Sequence, residues 1–295
     1  MLSETSKKNQ LLANTLVIAI TELLFMLGGM QIMSWILFAI DSALNLGTDI
    51  QGDFVYEMLT LALFLIPIGF CLIYMRITKP ESLKVFRKGS LSERFLSLFA
   101  GLAIGFITNG ALSLLAGLTG SVKITFHCFT PYMVLILPFC FIQCTCEEVL
   151  LRGYVPQYME DRHDWSSVAF VSGALFIFHH YFNMVYYGFS SAFCLNVFLY
   201  GVMMYLLVRG NGNFWICCGF HTAWNYTQQY LFGLPNSGQS SSYALFLGSE
   251  SKDTFFYNTV YGLEGSWITT IVVSLLILLL IYYCGRKQKE AEHGR

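Results

Sequence analysis

The stretch "CTCEEVLLRGYV", residues 144–155, decides how this chain is read. It closes a long apolar run, and it sets two carboxylates and a guanidinium where hydrocarbon is expected. Successive helical residues point about 100° apart, so Glu147 and Glu148 cannot share a direction. Glu148 and Arg152 stand four residues apart and are neighbours on one face. That spacing predicts a Glu148–Arg152 pair and leaves Glu147 to face a cavity. Ionisable residues within a membrane helix are costly and turn toward a bundle interior. The plainer alternative is a salt bridge at the membrane interface, where the helix simply ends.

The rest of the chain supports a membrane setting. Its 295 residues are 55% hydrophobic and only 12% charged, with a mean hydropathy of +0.57. Soluble domains carry about 25% charged residues. The fold class expected is therefore an all-α polytopic membrane protein. A net charge of −1 argues against nucleic acid as a partner and leaves membrane lipid and a membrane-associated protein or peptide. Most of the nine cysteines lie inside apolar runs and read as small hydrophobes, not as a disulfide framework.

Crossing the hydrocarbon core takes about 20 apolar residues. About eight spans are predicted, at 12–40, 55–75, 95–117, 130–151, 167–187, 191–208, 213–232 and 266–284. With the N-terminus inside, every Lys and Arg except Lys123 and Lys252 falls on the inner side, from Lys7 and Lys8 to Arg295. That asymmetry sets both termini in the cytoplasm. The basic 76–94 segment then lies at the inner leaflet, where its charge serves orientation. Residues 1–295 are read as one membrane domain, with a motif-bearing core at 130–232 and an extracytoplasmic loop at 233–265.

Two further polar sets interrupt the spans: His179 and His180 in "ALFIFHHYFN", and His221 and Asn225 in "CGFHTAWNYTQQ". Phe176 and His180 share one helical face, as do His221 and Asn225. Three helices with one polar side each can meet around a wet pocket. His179 is read as a packing residue, while Glu22, in the middle of the first span, has no role in this scheme. On these boundaries Glu147, His221 and His180 spread over roughly 14 Å of depth at 1.5 Å per residue. Either the fourth helix runs on toward Pro156, which deepens nothing but shifts the membrane plane, or the fifth starts nearer Asp161; helix tilt also closes the gap.

Glu147-Glu148-x-x-x-Arg152, Phe176-x-x-x-His180 and His221-x-x-x-Asn225, in that order on successive polar-faced spans, resemble the three motifs of the CPBP family. These are the type II CAAX prenyl endopeptidases and the bacterial abortive-infection and bacteriocin-processing membrane proteases. The resemblance covers about residues 130–232. "YGLEGSW" at 261–267 also resembles, weakly, a stretch of bacterial members. The resemblance implies an intramembrane endopeptidase acting on a prenylated or precursor peptide. In it Glu147 and His180 would activate water, His221 and Asn225 would steady the oxyanion, and Glu148 and Arg152 would support the site. Asn183 would lie near the same face and assist.

Amide hydrolysis needs a nucleophile, a proton acceptor and a home for the oxyanion, and these residue types supply all three without a metal. Zinc is the competing version, held by Glu147, His180 and His221 with Glu148 as a further candidate, although no H-E-x-x-H is present. A third version pairs Cys217 with His221, four residues on, and Cys140, Cys144 and Cys146 precede the glutamates. Other function classes would use the same polar faces: a transporter, which calls for paired broken spans, or a non-catalytic binding protein. A short chain with no retention signal points to a bacterial plasma membrane and to peptide maturation, bacteriocin immunity or regulation.

Overall fold

The computed structural model describes residues 4–44 and 54–293. The side chains of Lys7 and Lys8, and all of Arg295, lie outside the described residues. Helix α1 spans Glu4–Leu44, and the second span is divided into α2 (Phe54–Ala62) and α3 (Leu65–Thr78). A 3₁₀ segment, Pro80–Arg87, leads to α4 (Leu91–Leu118). Ser90 caps α4: its hydroxyl accepts from the Glu93 N–H while the Glu93 carboxylate accepts from the Ser90 N–H. Next come α5 (Pro131–Glu148), a π-helical turn (Val149–Tyr154), α6 (Val155–Met159), α7 (Trp165–His179), α8 (Tyr181–Tyr187) and α9 (Ser191–Asn211). The chain ends with α10 (Trp215–Tyr226), a second π turn (Thr227–Leu231) and α11 (Trp267–His293).

Among the described residues, seven helical stretches are long and apolar enough to cross a membrane. The eighth expected span, 213–232, does not join them. Its helix and π turn, Trp215–Leu231, reach only about 25 Å, short of the ~30 Å hydrocarbon core. Every residue from Ile216 to Trp224 is buried, so α10 is the centre of the bundle and is wrapped by protein. Other boundaries move as well. The fourth span runs on through the π turn to Met159, passing Pro156, which has no N–H to offer the Arg152 carbonyl. The fifth span starts at Trp165 but is broken at His180, between α7 and α8. With the fourth span extended to Met159, Glu147 is buried within the bundle instead of standing near the end of its helix.

Small residues decide how α10 is held. A Cβ on Gly101 would stand 2.1 Å from the Ile216 carbonyl oxygen, and one on Gly219 2.1 Å from that of Leu98. Gly101 and Gly105 on α4, and Gly219 and Ala223 on α10, are each four apart, so two small-residue stripes let the backbones touch.

Both ends of the bundle are tied. At the end that carries the basic segment, the Lys79 ammonium donates to Asp161 at 2.5 Å and to the Gln157 carbonyl at 2.6 Å. There the Trp215 indole also donates to the Phe86 carbonyl at 3.0 Å and Lys287 to that of Gly210 at 2.9 Å. At the opposite end, β1 (Lys123–Phe126) and β2 (Phe246–Ser249) pair antiparallel, Lys123 opposite Ser249. This two-stranded ribbon joins two connections that the all-helical reading left structureless. The 233–265 connection folds back over the bundle, where Asn196 Nδ2 donates to the Glu264 and Ser266 carbonyls, both at 2.8 Å.

Candidate active site

A cavity of about 230 Å³ opens among α1, α2, α5, α7, α9, α10 and the returning connection. Glu147, His180, His221 and Asn225 all line it. Glu148 and Arg152 lie just behind, both fully enclosed.

Glu148 is the hub. Its Oε1 accepts from Arg152 Nη1 at 3.2 Å and from His221 Nδ1 at 2.8 Å. Arg152, on the π turn, also donates from Nη2 to the Gly201 carbonyl at 3.0 Å. A carboxylate can only accept, so His221 holds its proton on Nδ1 and turns Nε2 to the cavity. Nε2 stands 4.0 Å from Glu147 Oε2. Glu147 Oε1 accepts from the Gln143 amide, one turn back, whereas Oε2 has no protein partner. His180 is oriented by the same logic. Its Nδ1 lies 2.9 Å from the Phe176 carbonyl oxygen, an acceptor, so the proton sits on Nδ1 and Nε2 is bare.

Phe176 is the spacer. Its ring meets His180 edge-on at 4.7 Å and His221 at 5.9 Å, and it lies under the Arg152 guanidinium at 5.1 Å. It also stacks on Tyr200 at 5.6 Å. The aromatic residue one turn before His180 therefore fixes the angle between the two imidazoles. Asn225 turns its Oδ1 toward Asn236 Nδ2 at 3.3 Å and its Nδ2 toward Cys144 Sγ at 3.5 Å.

Several placements differ from the sequence reading. His179 is no simple packing residue: its Nε2 is 2.6 Å from Glu22 Oε1, both side chains are buried, and it lines the cavity. That pair gives Glu22 its place and ties α1 to α7. Asn183 Nδ2 donates at 2.7 Å to the Ser237 carbonyl and so braces the returning connection. Cys217 donates its thiol to the Phe214 carbonyl at 2.9 Å and is fully buried. Glu264 and Asn236 reach the cavity from the connection, and neither was singled out from sequence beyond the "YGLEGSW" stretch. Glu57 lines the cavity too, with Oε1 accepting from the Tyr230 hydroxyl at 2.6 Å.

Zinc can be tested against this geometry. Ligands sharing one tetrahedral zinc at ~2.0–2.1 Å stand about 3.3 Å apart. Here Glu147 Oε2 and His221 Nε2 are 4.0 Å apart, and Glu148 Oε1 already accepts from Arg152 and His221. Among the described residues, no three His, Cys, Asp or Glu side chains converge closely enough to hold a metal ion. The side chains as arranged do not fit the ion.

A helical, multi-pass membrane protein with buried carboxylates and imidazoles around an internal cavity is the class defined so far. Residues 129–227, about a third of the chain, match the model of the family described as Type II CAAX prenyl endopeptidase Rce1-like, and in this segment the chain is similar to that family. Searches of curated proteins and of solved structures gave no match. The matched segment runs from just before α5 to the start of the second π turn, and it contains Glu147, Glu148, Arg152, Phe176, His180, His221 and Asn225.

Proposed function

We propose that the protein cleaves a peptide bond of a membrane-associated peptide with a water activated by Glu147, and that no metal takes part. The observation that carries this reading is the unpartnered, buried Glu147 Oε2 facing the bare Nε2 of His221 across 4.0 Å. A water about 2.8 Å from both atoms fits that span at a bond angle near 90°. In the reaction the water oxygen bonds to the scissile carbonyl carbon and its proton passes to Glu147. The carbonyl oxygen becomes the oxyanion, received by the Asn225 amide, while the bare Nε2 of His221 accepts a hydrogen bond from the second hydrogen of the attacking water. The C–N bond then breaks, and the proton reaches the leaving amine from Glu147, with His180 beside it. General-base help contributes ~10²–10⁴-fold, and one oxyanion donor ~3 kcal/mol.

Glu148 and Arg152 act behind these groups by holding the His221 ring, as an orienting carboxylate does for a catalytic histidine. A peptide segment enters from the side of the bundle opposite its basic end, where the returning connection borders the cavity. The purified protein, incubated with a library of prenylated and unmodified peptides, tests the assignment. Wild type, Glu147→Ala and a chelator-treated sample run in parallel. Cleavage should survive chelation and vanish in Glu147→Ala. Loss of cleavage on chelation with recovery on adding Zn²⁺ would replace this mechanism with a metal-dependent one.

A further inference from the structure

The returning connection carries a polar chain that ends on Asn225. Glu264, half-buried in the 3₁₀ turn Leu263–Gly265, sends its two carboxylate oxygens in different directions. Oε2 accepts from the Ser237 N–H at 2.6 Å and from the Ser237 hydroxyl at 2.9 Å. Oε1 accepts from Asn236 Nδ2 at 3.0 Å. The same amide nitrogen stands 3.3 Å from Asn225 Oδ1. Asn236 is buried, and Ser237 is held at φ +50°, a left-handed conformation that a non-glycine residue seldom adopts. The Glu264 backbone is itself anchored by Asn196, whose Oδ1 accepts from Thr270 at 2.6 Å.

The order of donors and acceptors has a direction. An ionised carboxylate only accepts, so the Asn236 carboxamide must turn its NH₂ toward Glu264. That NH₂ has a second hydrogen, and the atom of Asn225 next to it must then be the carbonyl oxygen. The NH₂ of Asn225 is left on the other side, toward Cys144 and the cavity. Without the carboxylate, both carboxamides could turn over together and keep their mutual hydrogen bond, presenting an acceptor where the oxyanion needs a donor.

We propose that Glu264 is a positioning residue which, through Asn236, fixes the NH₂ edge of Asn225 toward the reacting carbonyl. This rests on the reading of Asn225 as an oxyanion donor. The test is a double-mutant cycle on purified full-length protein with a cleaved peptide from the library. It compares wild type, Glu264→Gln, Asn225→Ala and the double variant, with kcat, KM and Tm measured for each.

Asn225→Ala should lower kcat by about 10²–10³-fold. Glu264→Gln should lower kcat tenfold or more with KM within twofold of wild type. The double variant should be no slower than Asn225→Ala alone, because the second change has nothing left to orient. Glu264→Asp discriminates further: it keeps an acceptor-only group and should outperform the isosteric Gln, whereas a mere packing role gives the opposite order. If Glu264→Gln does not fold, Asn236→Ala breaks the same link and should show the same kcat loss at constant KM. Wild-type kcat in Glu264→Gln, or multiplicative losses in the double variant, would overturn the proposal. Wild-type kcat in Asn225→Ala would remove the oxyanion role itself, a distinguishable failure that takes the relay with it.

Discussion

Replacing Gly219 by Ala tests whether the site is built by backbone contact between α4 and α10. The added methyl would sit 2.1 Å from the Leu98 carbonyl oxygen and 2.8 Å from the Leu102 nitrogen, both backbone atoms with no rotamer to yield. Ordinary contact begins at 3.4 Å, so the two helices must separate by about 1.3 Å. His221 lies two residues further along α10, 2.8 Å from Glu148. A shift of that size breaks this hydrogen bond, and misplacements near 1 Å cost on the order of 10²-fold in rate. Overpacking of this kind destabilises by about 1–3 kcal/mol. The variant should therefore unfold several degrees lower and turn over about 100-fold more slowly, as read by peptide cleavage and thermal unfolding in detergent. Gly28→Ala is the control, since a Cβ there meets nothing within 4 Å. A Gly219→Ala protein that loses stability but cleaves at the wild-type rate would show that α4 yields and that α10 is placed by other contacts.

Other outcomes follow from the same geometry. Glu147→Gln should cut turnover by ~10²–10⁴-fold while leaving Tm at or above the wild-type value, because it removes a buried carboxylate with one unpartnered oxygen. Glu148→Gln should instead destabilise by about 3–5 kcal/mol, since it strips the counter-charge from a buried Arg152; thermal unfolding reads this directly. Glu22→Leu alone should lower Tm by breaking the buried pair with His179, and Glu22→Leu/His179→Leu should recover much of the loss, because a buried ionic pair is often no better than apolar packing. Asp164 caps α7 by accepting from the Ser167 N–H at 2.8 Å, and that bond holds its carboxyl below the usual aspartate range. A depressed folded value means stability present above the ordinary aspartate pKa and lost as pH falls through the folded one. The Tm gap between wild type and Asp164→Ala should thus be full at neutral pH and close in acid.

The membrane class, seven of the eight expected spans and the inward-facing polar residues were legible because each rests on local pattern. Apolar run length marks a span, and four-residue spacing put Glu148 beside Arg152 and Phe176 beside His180. Spacing could not find the Glu22–His179 pair, because 157 residues separate its members. Nor could hydropathy show that α10 is enclosed by protein, since a buried helix and a lipid-facing helix are equally apolar. A signal for it was present: Gly101 and Gly105, with Gly219 and Ala223, have the spacing of closely packed membrane helices. The break at His180 left no such mark, as no Gly or Pro stands beside it.

By itself the sequence determined that this chain lives in a bilayer and that Glu147, Glu148, Arg152, His180, His221 and Asn225 face inward, because exposing ionisable or amide groups to hydrocarbon costs too much. Only the tertiary structure decided how they are oriented. It set the Nδ1 proton of His221 against Glu148, left one oxygen of Glu147 without a partner, and brought Asn236 and Glu264 over Asn225. Those relations depend on hydrogen-bond geometry between segments far apart in the chain, and no local periodicity encodes the angle at which two distant helices meet.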